Sequence, residues 1–123
     1  MQWRRFEERD CNINKRKVGD FYEDSVCEYL KDKGITIIER NFRCKIGEID
    51  IIGRDKDTLV FFEVKYRKNS DYGSALMAIN VSKQNKIRKI AQYYLTYKNN
   101  EFYIRFDAVG ITGNNIEWIK NAF

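Results

Sequence analysis

The chain contains no histidine. That absence removes Ser-His-Asp and Cys-His catalysis, His-Asn-His nuclease chemistry, and His-ligated zinc or haem. Any hydrolysis must therefore run on carboxylates, lysine and metal-bound water. Proline is also absent, so no proline-marked linker divides the 123 residues, a length that suits one domain. The three cysteines, Cys11, Cys27 and Cys44, are odd in number and form no Cys-x-x-Cys pair. A disulfide framework or cysteine zinc site is not expected, and a reducing cytoplasm is. Cys27 reads as a small core residue. No apolar run approaches the roughly 20 residues that span a bilayer, so no membrane partner is expected. The start, Met1-Gln-Trp-Arg-Arg-Phe-Glu-Glu-Arg-Asp10, is too charged for a signal peptide.

What is present is a well-supplied core. Hydrophobic residues make up 43% of the chain and aromatics 15%, enough to fold rather than stay disordered. The net charge of +5 favours a polyanionic partner, although a merely solubilising surface would show the same excess. Residues 1–13 read as an N-terminal extension and 14–123 as the folded domain. Apolar spacing through Val18, Tyr22, Val26, Tyr29 and Leu30 predicts a helix from Val18 to about Lys33, stopped by Gly34. Strands are expected over Ile35–Arg43, Gly47–Gly53 and Leu59–Tyr66, with a hairpin turn at Arg54-Asp-Lys-Asp-Thr58. Lys68–Gly73 reads as a polar loop. A second helix is expected from Val81 or Ser82, with Ser82 as N-cap, to about Lys98. Two strands follow, Phe102–Ile111 and Ile116–Ile119. A helix between the third and fourth strands permits a crossover, hence a mixed sheet with helices on its faces.

Charge interrupts the two most apolar strands. Asp50 lies within Gly47-Glu-Ile-Asp-Ile-Ile52, and Glu63 and Lys65 within Leu59-Val-Phe-Phe-Glu-Val-Lys-Tyr66. A carboxylate in an apolar strand needs a partner or a job. Glu63 and Lys65 are two apart and share a face. Across the hairpin, Asp50 falls opposite Phe62 or Glu63, depending on register. Opposite Glu63, the two acids stand about 5 Å apart at Cβ. Two carboxylates with water and substrate phosphate are a common Mg²⁺ environment. Asp50 and Glu63 are the candidate ligands of Mg²⁺ or Mn²⁺, with the Val64 backbone carbonyl as a further donor. Lys65 is the candidate partner of an attacking water or of developing phosphorane charge. The competing reading is a buried acid–lysine ion pair. It is weakened because two acids exceed one lysine. Glu23, at the edge of the first helix's apolar stripe, could orient the water or hold a second metal. Spacing alone favours a solvated glutamate there.

Arg43, Lys45 and Arg67 flank the carboxylates. Lys83, Lys86 and Lys89 form a basic run on the second helix, with Lys83 turned to the same side as Ile87. All six are candidate phosphate contacts, and a solvated helix face is the bland account of the run.

Several segments occur together in order: Gly19-x-x-x-Glu23, Tyr29-Leu30, Asn41-Phe-Arg43, Gly47-Glu-Ile-Asp50, Phe62-Glu-Val-Lys65-x-Arg67, Tyr72-Gly73, Lys83 and Arg105-Phe-Asp107. The pattern resembles the YraN-like family of uncharacterised bacterial proteins. That family is similar to Holliday-junction resolvases of the PD-(D/E)XK nuclease superfamily. The resemblance runs from about residue 14 to the end of the chain. It implies an α/β restriction-endonuclease-like fold, a mixed sheet flanked by helices. It also implies metal ligation by Asp50 and Glu63, a catalytic role for Lys65, and use of Glu23 as the first-helix acid. Tyr22 and Val26 depart from the smaller residues usual beside that acid. The expected function is metal-dependent hydrolysis of DNA phosphodiesters, with branched or recombination intermediates as candidate substrates. A non-catalytic nucleic-acid-binding module and a protein-interaction scaffold with a vestigial site are the alternatives. Association into a homodimer stays open.

Overall fold

The computed structural model describes residues 13–68, 79–96 and 103–123. Residues 1–12, 69–78 and 97–102 lie outside the described residues; they hold all but Ile13 of the extension expected over 1–13, all but Lys68 of the loop expected over Lys68–Gly73, and the expected end of the second helix and start of the fourth strand. The helices are α1 (Ile13–Asp32) and α2 (Val81–Leu95), and the strands are β1 (Thr36–Arg43), β2 (Glu48–Asp55), β3 (Thr58–Arg67), β4 (Tyr103–Thr112) and β5 (Asn115–Ile119). They form one five-stranded sheet in the order β1-β2-β3-β4-β5. Strands β3 and β4 are parallel, and the other neighbours are antiparallel. The mixed sheet expected from the helix between the third and fourth strands is thus present. With one helix packed on each face, the architecture is a restriction-endonuclease-like α/β arrangement.

Helix α1 starts five residues earlier than the apolar spacing predicts. Its first turns, Ile13-Asn-Lys-Arg-Lys17, hold too few apolar residues to register as an amphipathic stripe. Its end is as expected. Gly34 adopts φ +97°. The Gly34 N–H donates to Lys31 O and the Ile35 N–H to Leu30 O, each at 3.0 Å. This Schellman closure satisfies two carbonyls left open by the helix. Helix α2 is capped by Asn80, not Ser82: the Asn80 side chain accepts from the Lys83 N–H at 2.8 Å. Ser82 already lies inside the first turn, where its hydroxyl cannot take the cap position.

Each sheet face has its own core. On the α1 face Val26, Cys27 and Leu30 pack on Ile35, Ile51, Val60, Phe62, Val109 and Ile111. Burial holds the Cys27 thiol above its ordinary value, as suits a core thiol. On the α2 face Ile87, Ile90, Ala91 and Tyr94 pack on Phe42, Ile49, Ile52, Leu59 and Phe61. Coverage on both sides explains why Leu59-Val-Phe-Phe62 is continuously apolar.

A polar knot ties β5 and the C-terminal segment to β4. Asp107 is fully buried. Its carboxylate accepts from Arg105 Nε (2.8 Å) and Nη2 (2.9 Å), from Trp118 Nε1 (2.9 Å) and from the Asn121 N–H (2.9 Å). Arg105 also reaches Asp55 at 3.1 Å, joining β2 to the knot. These bonds give Arg105-Phe-Asp107 a structural role. Asp107→Ala leaves a half-buried guanidinium and two further donors without their acceptor. It should lower unfolding free energy by about 3–5 kcal/mol in urea titration; a loss below about 1 kcal/mol would contradict that role.

Candidate active site

The acids expected to form a site lie where β2 and β3 part company. The antiparallel ladder between them runs from Asp55↔Thr58 to Ile51↔Phe62 and stops there. One further step brings Asp50 opposite Glu63, the second of the two registers open to the sequence. No backbone pair forms at that step. Instead Asp50 Oδ2 accepts the Val64 N–H at 2.9 Å.

The side chain reaches that position because alternation fails at Asp50. Ile51 packs on the α1 face and Ile49 on the α2 face, although two residues apart they should share a face. Their partners on β1 show the same break. Arg40, opposite Ile51, contacts α1, while Phe42, opposite Ile49, packs against α2. Between Arg40 and Phe42 lies Asn41, with φ +54°. Asparagine tolerates this left-handed conformation better than other residues bearing a side chain. The kink at Asn41 and its counterpart at Asp50 let β1 and β2 change faces together. Asp50 is left pointing along the sheet toward β3 rather than into either core. Nothing in the sequence besides the asparagine itself signals this. Gly47 secures the approach to the kink: a Cβ there would stand 3.3 Å from Ile90 Cδ1 and 3.4 Å from Lys86 Cδ. Its hydrogen bonds with Cys44 close the β1–β2 turn.

Glu63 follows regular alternation and faces α2. It is 3% exposed and meets two ammonium groups, Lys65 at 3.7 Å and Lys83 at 3.3 Å, both at Oε2. Lys83, a candidate phosphate contact, reaches Glu63 from α2 and keeps 39% of its side chain exposed. The Asn80 cap holds the Lys83 backbone and so fixes where its side chain departs. Among the described residues no lysine or arginine ion-pairs with Asp50. The sequence therefore counts acids and lysines correctly only in part. Glu63 has two cationic partners, and the uncompensated carboxylate is Asp50.

Glu23 arrives from α1. It lies 3.6 Å from Arg40 Nη2, and Arg40 also binds Asp24 at 2.7 Å. Its field reaches Asp50. Burial first, then Glu63, then Glu23 hold the Asp50 carboxyl well above its ordinary value, against the opposing hydrogen bond from Val64. Asp50 thus sits between an acid on each side of the sheet.

The remaining candidates lie outward. Arg43 pairs with Glu48 at 3.1 Å across the β1–β2 hairpin. Lys45 is exposed in the turn of that hairpin, and Arg67 is exposed at the end of β3. Lys86 and Lys89 are exposed on α2, where they line a shallow groove with Ile46 and Val81. Lys86 and Lys89 therefore face solvent together, as their spacing predicts, apart from Lys83.

The donor set has the chemistry of a hard-cation site. Among the described residues no three His, Cys, Asp or Glu side chains gather around one point. A bound cation would rest on two carboxylates, Asp50 and Glu63, with the Val64 carbonyl, water and phosphate completing its shell. That division is usual for Mg²⁺, and the residues fit it.

Residues 22–111 match the uncharacterised protein family UPF0102. A UPF0102 protein of Clostridium botulinum strain 657 is 49% identical over 121 residues, covering 92% of this chain and 96% of its own. One from the Loch Maree strain is 47% identical over the same coverage. The chain belongs to the UPF0102 family. The similarity is not confined to clostridia: a UPF0102 protein of Psychromonas ingrahamii is 46% identical over 107 residues, 85% of this chain and 88% of its own. The matched span takes in Glu23, Asp50, Glu63, Lys65 and Lys83 together. Among the described residues no helix is long and apolar enough to cross a membrane.

The electrostatics of Asp50 set a pH dependence. Its folded pKa lies above the ordinary value of 3.8. The metal-free fold therefore carries no penalty from Asp50 below that value and loses stability as pH rises through the raised one. In chelator at neutral pH, Asp50→Asn should melt above the wild type, and the gap should close toward pH 3.8. A neutral-pH melting temperature below that of the wild type would mark Asp50 as a stabilising partner instead.

Proposed function

We propose that this UPF0102 protein is a divalent-metal-dependent endonuclease that hydrolyses phosphodiester bonds in DNA. The observation that carries the reading is Asp50: a carboxylate turned into the gap between two strands, beside Glu63, with no cationic partner among the described residues. Burial and neighbouring acids that raise a carboxyl in this way cost the fold stability, a cost common at functional sites. A hard cation at that point relieves the repulsion between the acids, and phosphate is its natural further ligand.

Asp50 and Glu63 would hold Mg²⁺ or Mn²⁺, which when bound supplies charge neutralisation on a phosphoryl oxygen and a more acidic water. The chain's own residues do the rest. Lys65 shares the α2 face with Glu63, and its side chain is 31% exposed, so its ammonium can donate to water or to an equatorial phosphate oxygen. Lys83 steadies the Glu63 carboxylate from the helix. Glu23 adds a third negative group on the α1 side, where it can orient water. Arg67, Lys45, Lys86 and Lys89 offer phosphate contacts outside the centre. The branched or recombination intermediates implied by the family's resemblance to resolvases remain the first substrates to test.

The test is a panel of single-stranded, duplex, flap and four-way-junction DNA with Mg²⁺, Mn²⁺ or chelator. Metal-dependent cleavage is expected. Lys65→Ala should abolish it while Mn²⁺ still binds, and Asp50→Asn should abolish cleavage and weaken Mn²⁺ binding as well. Activity undiminished in Lys65→Ala would remove the lysine from the mechanism. A second reading rests on the two lysines at Glu63, which can serve as permanent occupants in place of a cation. It predicts salt-dependent DNA binding with no cleavage of any substrate.

A further inference from the structure

Lys83 is the member of the candidate site that is free to leave it. Glu63 is not: it is 3% exposed, on a strand enclosed between β2 and β4. Lys65 departs from the same strand two residues on, with its ammonium 3.7 Å from Glu63 Oε2. Lys83 comes from the first turn of α2, meets the same oxygen at 3.3 Å and is the more exposed of the two lysines. A lysine head is a compact charge on a flexible stem. It can swing while its backbone stays in place. Here the backbone is held: the Lys83 N–H donates to Asn80 Oδ1 at 2.8 Å, and the Gln84 N–H to Asn80 O at 3.0 Å. Release of the ammonium therefore leaves the helix start intact.

A cation at Glu63 competes with that ammonium. Bound about 2.1 Å from either carboxylate oxygen, it would stand within the Debye length of about 8 Å from Lys83. Salt screens a buried carboxylate still less. At Oε2 the cation and the ammonium need the same lone pairs; at Oε1 they repel each other across the carboxylate. Asp50 presents the opposite case, since among the described residues no lysine or arginine ion-pairs with it. The Asp50–Glu63 centre is thus open at one carboxylate and occupied at the other.

Resting on the proposed metal-dependent function, we infer that Lys83 is a positioning residue that keeps the cation's place at Glu63 and must give way for Mg²⁺ or Mn²⁺ to bind. In the metal-free protein it spares a buried glutamate the cost of standing without adequate charge compensation. It acts against metal capture, not for it. A site whose competent form is populated for only a fraction of the time binds its ligand more weakly by that fraction. An ion pair closed roughly nine times in ten therefore lowers apparent affinity about tenfold. A lysine that merely supported Glu63 would have the opposite effect: its loss would loosen the carboxylate and weaken metal binding.

The sign of the change in Mn²⁺ affinity is the test. Wild type, Lys83→Gln and Lys83→Arg are titrated with Mn²⁺ by calorimetry without DNA, and melting temperature in chelator confirms the fold. Lys83→Gln should bind Mn²⁺ about tenfold more tightly than wild type and gain more melting temperature from it. Lys83→Arg, which keeps the charge, should show no tightening. Equal or weaker binding by Lys83→Gln would overturn this inference and leave the metal-dependent reading standing. Absence of Mn²⁺ binding in all three proteins would overturn that reading, and this inference with it. A second measurement needs no variant. Acetic anhydride labelling of wild-type lysines, followed by mass spectrometry, should be slow at Lys83 in chelator and quicken as Mn²⁺ saturates the protein. The exposed Lys86 and Lys89 should keep their rates. A Lys83 rate indifferent to saturating Mn²⁺ would overturn the exchange even if Lys83→Gln failed to fold.

Discussion

The Val64 N–H donates to the Asp50 carboxylate where a carbonyl of the neighbouring strand would otherwise accept it, and the site is organised around that substitution. A backbone donor at a sheet interior must be satisfied. Satisfying it with a side chain ends the β2–β3 ladder at Ile51↔Phe62 and opens a gap between strands. The gap lies at the boundary between two cores, with Glu23 on one side and Glu63 on the other. The cost is electrostatic. A carboxylate brought among acids and away from water strains toward its neutral form.

Much of this was legible from residue order. The hairpin, the shared face of Glu63 and Lys65, and the parallel β3–β4 pair all follow from spacing and from a helix placed between strands. Asp50 opposite Glu63 was one of two registers, and the turn chose it: Lys56 takes φ +59°, so the ladder closes at Asp55↔Thr58. Gly34 signalled its helix end because glycine relieves the left-handed backbone. What escaped was long-range or conformational. Lys83 lies twenty positions from Glu63 in the chain, and only the docking of α2 brings them to 3.3 Å. Asn41 carried no label as a kink. Ser82 looked like a cap because cap preference is local, whereas the cap chosen, Asn80, depends on where the chain arrives. Arg105 and Asp107 stood out only as part of a family pattern, and their purpose became visible once Trp118 and Asn121 closed on them.

The division of charge is the main revision that folding makes to the sequence reading. Two acids against one lysine suggested a general surplus of negative charge. The fold gives Glu63 two lysines and gives Asp50 a backbone amide alone among the described residues. The surplus is localised on one carboxylate rather than shared. A cation at this point would meet no ion-pair partner of Asp50 among the described residues, whereas at Glu63 two ammonium groups would have to share or yield an oxygen. On α2, Lys83 meets Glu63 while Lys86 and Lys89 stand outward, and Arg88 lies beside the Phe106 and Phe123 rings.

The account stands on the proposal that Asp50, a carboxyl whose pKa burial and neighbouring acids raise, is a cation ligand. Calorimetric titration of Mn²⁺ into the wild-type protein, repeated across pH in buffers of different ionisation heat, measures both the ion and the displaced proton. One ion should bind per chain with release of a proton, and that release should fade as pH rises beyond the raised value of the carboxyl. Absence of binding heat at every pH, with a melting temperature indifferent to Mn²⁺, would contradict the account.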